Sequence, residues 1–259
     1  MHIEFYKYHG TGNDFIMLDN RNGRYNQLST AQIRFLCDRR IGIGADGLIC
    51  INSHANYAFE VDYSNSDGSK SFCGNGARCS VAFAAFLGIP CESVTFLAID
   101  GEHQAISKGD KISVQMGNVT EIREIGADYE LFTGSPHYVR FTEQPEHTDI
   151  VALGKEIRYS EVYREKGINV NVAAPHAGGL SVQTYERGVE DETLSCGTGV
   201  TAVALAHAYR KELNGSHEIQ VHVKGGMLTV AFHQENGHEF TDIWLSGPAV
   251  FVFKGEVHA

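Results

Sequence analysis

Two stretches of this 259-residue chain break its usual rhythm of hydrophobic and polar positions. Ala77 to Leu87 is apolar except for Arg78 and Ser80, and Val200 to Tyr209 is a similar run rich in alanine and valine. A helix apolar on every side is a buried helix. Each run follows a cysteine and a Gly-x-Gly: Cys73-Gly74-Asn75-Gly76 and Cys196-Gly197-Thr198-Gly199. Glycines allow a tight turn and leave amides open at a helix start. The pattern therefore predicts two buried helices, each with a cysteine at its N-terminus.

Elsewhere the pattern is mostly alternating, which predicts strands. They are expected at Phe5–Tyr8, Phe15–Leu18, Leu48–Ile51, Tyr57–Tyr63, Val94–Ile99, Gln104–Ser107 and Ile112–Met116, and again at Ile219–Val223, Met227–His233 and Phe240–Leu245. Turns fall at Asn65-Ser66-Asp67-Gly68, Asp100-Gly101, Gly109-Asp110, Gly225-Gly226 and Asn236-Gly237. Ser29 to Arg40 reads as a further helix, with Ser29 or Thr30 as N-cap and Ile33, Leu36 and Cys37 on its inner face.

The order cysteine, glycines, helix, three strands occurs twice. Gly101 lies 28 residues beyond Cys73, and Gly225 lies 29 beyond Cys196. This predicts two similar α/β halves meeting near Gly117-Asn118. Related by a pseudo-twofold axis, they would bring Cys73 and Cys196 face to face across a cleft, a common place for small ligands.

Hydrophobic residues make up 42% and charged residues 20%, the composition of a globule with a real core. A net charge of −11 without a basic run speaks against nucleic acid and anionic membranes as partners. The N-terminus is strand-like rather than a signal peptide, and no apolar run approaches membrane-spanning length, so the expected location is the cytosol. The six cysteines are then expected to be thiols. No Cys-x-x-Cys or His-Glu-x-x-His pattern supports a metal. Cys37, Cys50, Cys79 and Cys91 read as small buried hydrophobes.

Cys73 and Cys196 read differently. A helix N-terminus binds carboxylates and favours a thiolate. Two such ends could grip an α-carboxylate, with one thiolate removing the α-proton and the opposite thiol returning one to the other face. The result is inversion of a stereocentre without a cofactor. Gly42-Ile43-Gly44-Ala45-Asp46-Gly47 and Gly197 to Ala202 also fit dinucleotide-binding glycine patterns. Neither follows a buried strand, so both fail the context that the motif needs.

The chain resembles the diaminopimelate epimerase family of pyridoxal-independent amino-acid racemases. The resemblance rests on His9 to Phe15, Gly42 to Gly47, Asn65 to Gly68, Cys73 to Cys79, Gly167 to Val170, Tyr185 to Gly188 and Ser195 to Gly199. It implies a mixed α/β fold of two halves, each a curled mixed sheet around a central helix. Residues 1–117 with 248–259 would form one half and 118–247 the other. It implies interconversion of LL- and meso-diaminopimelate, for lysine and peptidoglycan synthesis, by a homodimer using no cofactor. Cys73 and Cys196 would be the acid and base, with His137 beside Cys73 and Glu186 beside Cys196, both tuning the thiols and meeting the substrate amino group. Gly74, Asn75, Gly197 and Thr198 would bind the reacting carboxylate through backbone amides. Asn13, Asn65, Asn169 and Arg187 would read the distal end of the substrate. Two positions depart from the family pattern: Gly47, where glutamine is frequent, and Ser135, where asparagine is frequent. Both fall on substrate-reading positions. The alternative substrates are therefore proline, hydroxyproline or histidine; a separate alternative is an amino-acid-binding protein that uses the same helix ends without catalysis.

Overall fold

The alternating first third of the chain folds as a mixed sheet wrapped on one helix. A computed structural model describes every residue except Asn236, and every side chain except those of Asn236 and Glu146. Contacts divide the chain into two units, Met1–Val114 with Gly247–Ala259, and Gln115–Ser246. The first unit contains β1 (His2–Gly10), β2 (Asn13–Asp19), α1 (Thr30–Cys37), β3 (Gly47–Asn52), β4 (Glu60–Asn65), α2 (Gly74–Phe86), β5 (Ser93–Ala98), β6 (Gly101–Lys108) and β7 (Lys111–Gln115). The second contains β8 (Ile122–Ile125), β9 (Asp128–Phe132), β10 (Pro136–Phe141), α3 (Ile150–Arg158), β11 (Asn169–His176), β12 (Gly179–Glu186), β13 (Asp191–Thr193), α4 (Gly197–Arg210), β14 (Gly215–Val223), β15 (Gly226–Glu235) and β16 (Glu239–Pro248). The last strand, β17 (Val250–His258), belongs to the first unit and pairs antiparallel with β1.

Strand pairing repeats in the two units. In the first, the order β17-β1-β2-β3-β4-β5-β6-β7 is antiparallel except at β2–β3 and β4–β5. In the second, the order β8-β9-β10-β11-β12-β14-β15-β16 is antiparallel except at β10–β11 and β12–β14. The parallel pairs fall at the same two places because a helix connects them each time: α1 and α2 in one unit, α3 and α4 in the other. The expected halves are therefore visible as one topology used twice.

Each sheet closes over its apolar helix. Ala77, Cys79, Val81, Phe83 and Ala84 of α2 share a core with Phe15, Ile49, Phe59, Phe96 and Val114. Val200, Val203 and Leu205 of α4 share another with Val139, Leu180, Val221, Val230 and Leu245. Burial of these side chains from every side is the main source of stability, at roughly 25 cal/mol per Å² of apolar surface.

Both helices start three residues before the apolar runs do. The glycines lie inside the first turn, and at Gly76 and Gly199 space is the reason. A Cβ on Gly76 would sit 3.1 Å from Ile49 Cδ1, and one on Gly199 would sit 2.5 Å from Asn171 Oδ1. Helix α1 is shorter than expected. Ser29 caps it in a reciprocal capping box with Gln32, and the chain turns extended at Asp38. Positive-φ glycines make the expected turns at Gly68, Gly101, Gly109 and Gly226. The expected Asn236-Gly237 turn lies partly outside the described residues. Among the described residues no helix is long and apolar enough to cross a membrane, and no group of three or more His, Cys, Asp and Glu side chains could hold a metal ion.

Candidate active site

In the first unit the site begins with Asn13. It opens β2 after the two-residue turn Thr11-Gly12, whose φ angles are 51° and 87°. Such primed turns suit antiparallel hairpins, but a β-branched residue in this region is strained. The strained turn is anchored behind by ion pairs from Asp14 to Lys7 and Arg39, both 2.7 Å, and from Asp46 to Arg39, 2.8 Å. Burial opposes ionisation of Asp14, yet hydrogen bonds from Arg39 and Lys7 bring its carboxyl down to about 2.

Cys73 is the N-cap of α2, with extended backbone angles of −137° and 116°. Its Sγ accepts the Gly76 N–H at 3.4 Å and lies 3.5 Å from Asn13 Oδ1. Asn75 Nδ2 donates to the same Asn13 oxygen at 3.2 Å. A small pocket beside the sulfur is lined by Ile49, Val61, Tyr63, Ser71, Gly76 and Ala77. Asn65, closing β4, accepts from the Tyr63 hydroxyl at 2.8 Å and donates to Ser71 Oγ at 3.1 Å. Asn13, Cys73, Asn75 and Asn65 thus sit on the ends of β2, α2 and β4 in one unit.

In the second unit Cys196 is the N-cap of α4, with similar extended angles of −117° and 106° but, unlike Cys73, no side-chain capping bond to the helix. Its Sγ lies 3.5 Å from Thr198 Oγ1. Thr198 is also 2.9 Å from His137 Nε2 and 3.1 Å from Ser135 Oγ. His137 lies opposite Asn169 in the parallel β10–β11 pair. Its ring is completely buried, and burial, with a smaller push from the Arg187 charge, lowers its pKa to about 3. The ring is neutral, and its tautomer follows from its neighbour. Asn171 accepts from Thr184 Oγ1 at 2.9 Å and donates to the Tyr138 carbonyl at 2.9 Å, so its amide nitrogen faces His137 Nδ1 at 3.1 Å. Nδ1 must accept, so the proton sits on Nε2 and points at Thr198 or Ser135.

Asn169 accepts the Arg187 N–H at 2.8 Å and donates to Ser135 Oγ at 3.1 Å. Glu186 ends β12, and its carbonyl accepts the N–H groups of Val189 and Glu190 in the turn that follows. Arg187 in that turn is exposed, with one guanidinium nitrogen 2.9 Å from the Lys166 carbonyl. Ser135, met in the sequence only as a departure, is a hub joining His137, Thr198 and Asn169. The other departure also has a physical cause: a Cβ on Gly47 would stand 2.4 Å from Tyr63 Cε2 and 2.6 Å from the Ser64 carbonyl.

The remaining cysteines are chemically quiet. Burial pushes the thiols of Cys37, Cys50 and Cys79 up to about 12 and that of Cys91 to about 11.

The family model for diaminopimelate epimerase matches residues 5–122 and 131–252, covering both cysteine helices. The chain belongs to the diaminopimelate epimerase family. A relative of that name from Flavobacterium psychrophilum is 50% identical over 97% of this chain and 99% of its own length. Another, from Chlorobaculum tepidum, is 38% identical over 96% of this chain and 98% of its own. Among solved structures, a PhzF-family phenazine biosynthesis protein from Bacillus anthracis matches with a TM-score of 0.75 over 100% of both chains, at 12% identity. A hydroxyproline epimerase from Agrobacterium vitis, with trans-4-hydroxy-L-proline bound, matches with a TM-score of 0.69 over 99% of this chain and 92% of that one, at 13% identity. These two likenesses show that the chain shares its fold with more distant proteins.

Proposed function

We propose that the protein interconverts LL- and meso-diaminopimelate by proton transfer at one α-carbon, with Cys73 and Cys196 as base and acid. The observation that carries this reading is the repetition of one device within a member of this family. In each unit a cysteine stands at the N-cap of a buried helix that begins Gly-x-Gly. One thiolate takes the α-proton as the opposite thiol gives its own to the other face. The substrate leaves inverted, and the two sulfurs have exchanged protonation states.

Acid–base groups of this kind contribute about 10²–10⁴ in rate, and stabilisation of the developing charge must add more. The amides of Gly74 and Asn75 and of Gly197 and Thr198 take that part, holding the α-carboxylate into which negative charge spreads. Glu186 meets the reacting amino group and tunes its thiol, while neutral, buried His137 acts through Thr198 and Ser135, to which its Nε2 is turned. Asn13, Asn65, Asn169 and Arg187 bind the distal amino acid, where the forked Arg187 cation suits a carboxylate. The same reading makes the protein a cytosolic homodimer in lysine synthesis. Six free cysteines, five of them buried, suit a reducing compartment, and the exposed Val250, Phe251, Val252 and Phe253 of β17 suit a second copy.

The test is incubation of the purified protein with meso-diaminopimelate in deuterated water. Appearance of the LL isomer with one α-deuterium is expected. Unlabelled, uninverted substrate would reject the reading.

A further inference from the structure

The mechanism above leaves a completely buried charge without a task. Arg78, the fifth residue of α2, is 0% exposed. The groups whose charge bears on it are the thiols of Cys79 and Cys73 rather than carboxylates. Its Nη2 donates to Asn75 Oδ1 at 2.8 Å and its Nη1 reaches the Gly74 carbonyl at 3.5 Å, while its Nε is buried without a partner. A buried cation without a counter-ion is costly, and an apolar side chain of similar volume often serves stability as well. The strand beside it makes room for it: a Cβ on Gly10 would lie 3.2 Å from Arg78 Nη2 and 3.2 Å from the Asn75 carbonyl.

What a guanidinium offers that a hydrocarbon does not is direction. It can only donate, as a carboxylate can only accept. Asn75 must turn its oxygen to Arg78, so its Nδ2 faces Asn13 Oδ1 at 3.2 Å. Asn13 must then turn its own Nδ2 to Asp46 Oδ2, at 2.7 Å. Asp46 is held in turn by Arg39. A donor-only group at one end and an acceptor-only group at the other leave each carboxamide one orientation.

We propose that Arg78 is a positioning residue of the active site: it sets the facing of the Asn75 and Asn13 amides, and so aims the Asn13 oxygen at Cys73. The second unit has no such chain. Five residues after Cys196 stands Thr201, whose hydroxyl donates to the Gly197 carbonyl at 3.0 Å. Position 198 there is a hydroxyl, which can both donate and accept and is met by His137 and Ser135, so it needs no orienting cation. The orientation of the amides stands on the structure alone; its consequence for diaminopimelate rests on the function proposed above.

The test has two arms on Arg78→Met and Asn75→Asp. In the first, side-chain amide NMR signals of Asn13 and Asn75 are followed in the ligand-free protein, independently of any activity. In Arg78→Met both pairs of amide protons are expected to shift and to exchange faster with solvent. Unchanged signals in a folded variant would overturn the proposal, whatever the enzyme does. In the second arm, Asn75→Asp keeps an acceptor for Arg78 and loses the donor to Asn13. It is expected to melt no lower than the wild type while KM for diaminopimelate rises about tenfold and kcat changes less. An unchanged KM would overturn the proposal. The new carboxylate also stands at the helix end proposed for the substrate carboxylate. Asn75→Ala, which removes the donor to Asn13 without adding charge, is therefore expected to raise KM as well, and a rise in Asn75→Asp alone would also overturn the proposal. Because Asn75→Asp keeps the guanidinium bonded, this arm decides the matter if Arg78→Met fails to fold. An inactive wild-type protein would reject the proposed function and leave the NMR arm to decide the positioning claim.

Discussion

The ring of Tyr63 occupies the space that a side chain at position 47 would need, with Tyr63 Cε2 only 2.4 Å from a Cβ built on Gly47. Its hydroxyl donates to Asn65 Oδ1 at 2.8 Å. The glycine is thus one half of a packed pair, and the tyrosine brings a polar group to the same region. Gly47→Ala is expected to lower stability by about 1–3 kcal/mol through overpacking, measured by chemical denaturation. Tyr63→Phe keeps the ring and loses the hydroxyl. Its KM for diaminopimelate should rise about threefold to tenfold, the worth of one hydrogen bond, with the fold unchanged by circular dichroism.

His137 makes stability depend on pH. Its folded-state pKa is lowered to about 3 from an ordinary 6.5. Above pH 6.5 neither state holds the extra proton, so the group contributes nothing. As pH falls below 6.5 the unfolded chain takes up a proton that the folded one refuses, and stability is lost until about pH 3. At pH 5 the loss from this group is about 2 kcal/mol. Denaturant titrations at pH 7 and pH 5 should show it, and His137→Gln should shrink the difference between them.

The two cysteine helices differ in how strictly they need their second glycine. At Gly199 a Cβ would strike Asn171 Oδ1 at 2.5 Å, and Asn171 holds His137. At Gly76 its nearest neighbour would be the terminal Cδ1 of Ile49 at 3.1 Å, with Cys73 Cβ and Phe15 Cε1 at ordinary contact distances of 3.4 and 3.5 Å. Gly199→Ala should cost about 1–3 kcal/mol. Gly76→Ala, which also gains about 0.5–1 kcal/mol of helix preference, should stay within about 1 kcal/mol of the wild type. Thermal melts of both variants decide this.

Arg187 is the exposed cation proposed for the distal carboxylate. Arg187→Ala should weaken binding of diaminopimelate by about tenfold or more, and binding of a monocarboxylic amino acid far less. Calorimetric titration with both ligands measures the difference, and equal losses would remove Arg187 from that role.

The sequence was most legible where pattern and packing agree. All-apolar runs can only be buried helices, so α2 and α4 stood out, as did the strands with clean alternation that follow each. It was least legible between residues 118 and 193. There, β11 reads Asn-Val-Asn-Val, and its asparagines are buried with hydrogen-bond partners rather than exposed. Polar residues satisfied inside a core mimic a surface pattern. Helix α3 was hidden because its capping residue, Asp149, follows an irregular segment, and only three of its residues are buried, Ile150, Gly154 and Ile157, of which one has no side chain. In the site, the motifs flagged Cys73, Cys196 and the asparagines. They did not reveal Ser135 as a hub or Arg78 as a buried donor, because both roles depend on partners far away in the sequence or on burial that no local pattern displays.

The two-thiol reaction is tested most directly by Cys73→Ala and Cys196→Ala, each assayed for interconversion of diaminopimelate isomers alongside a check of the fold. Each variant is expected to remain folded and to lose more than about 10²-fold in kcat, since inversion needs a proton partner on both faces. Near-wild-type turnover by either folded variant would contradict the account.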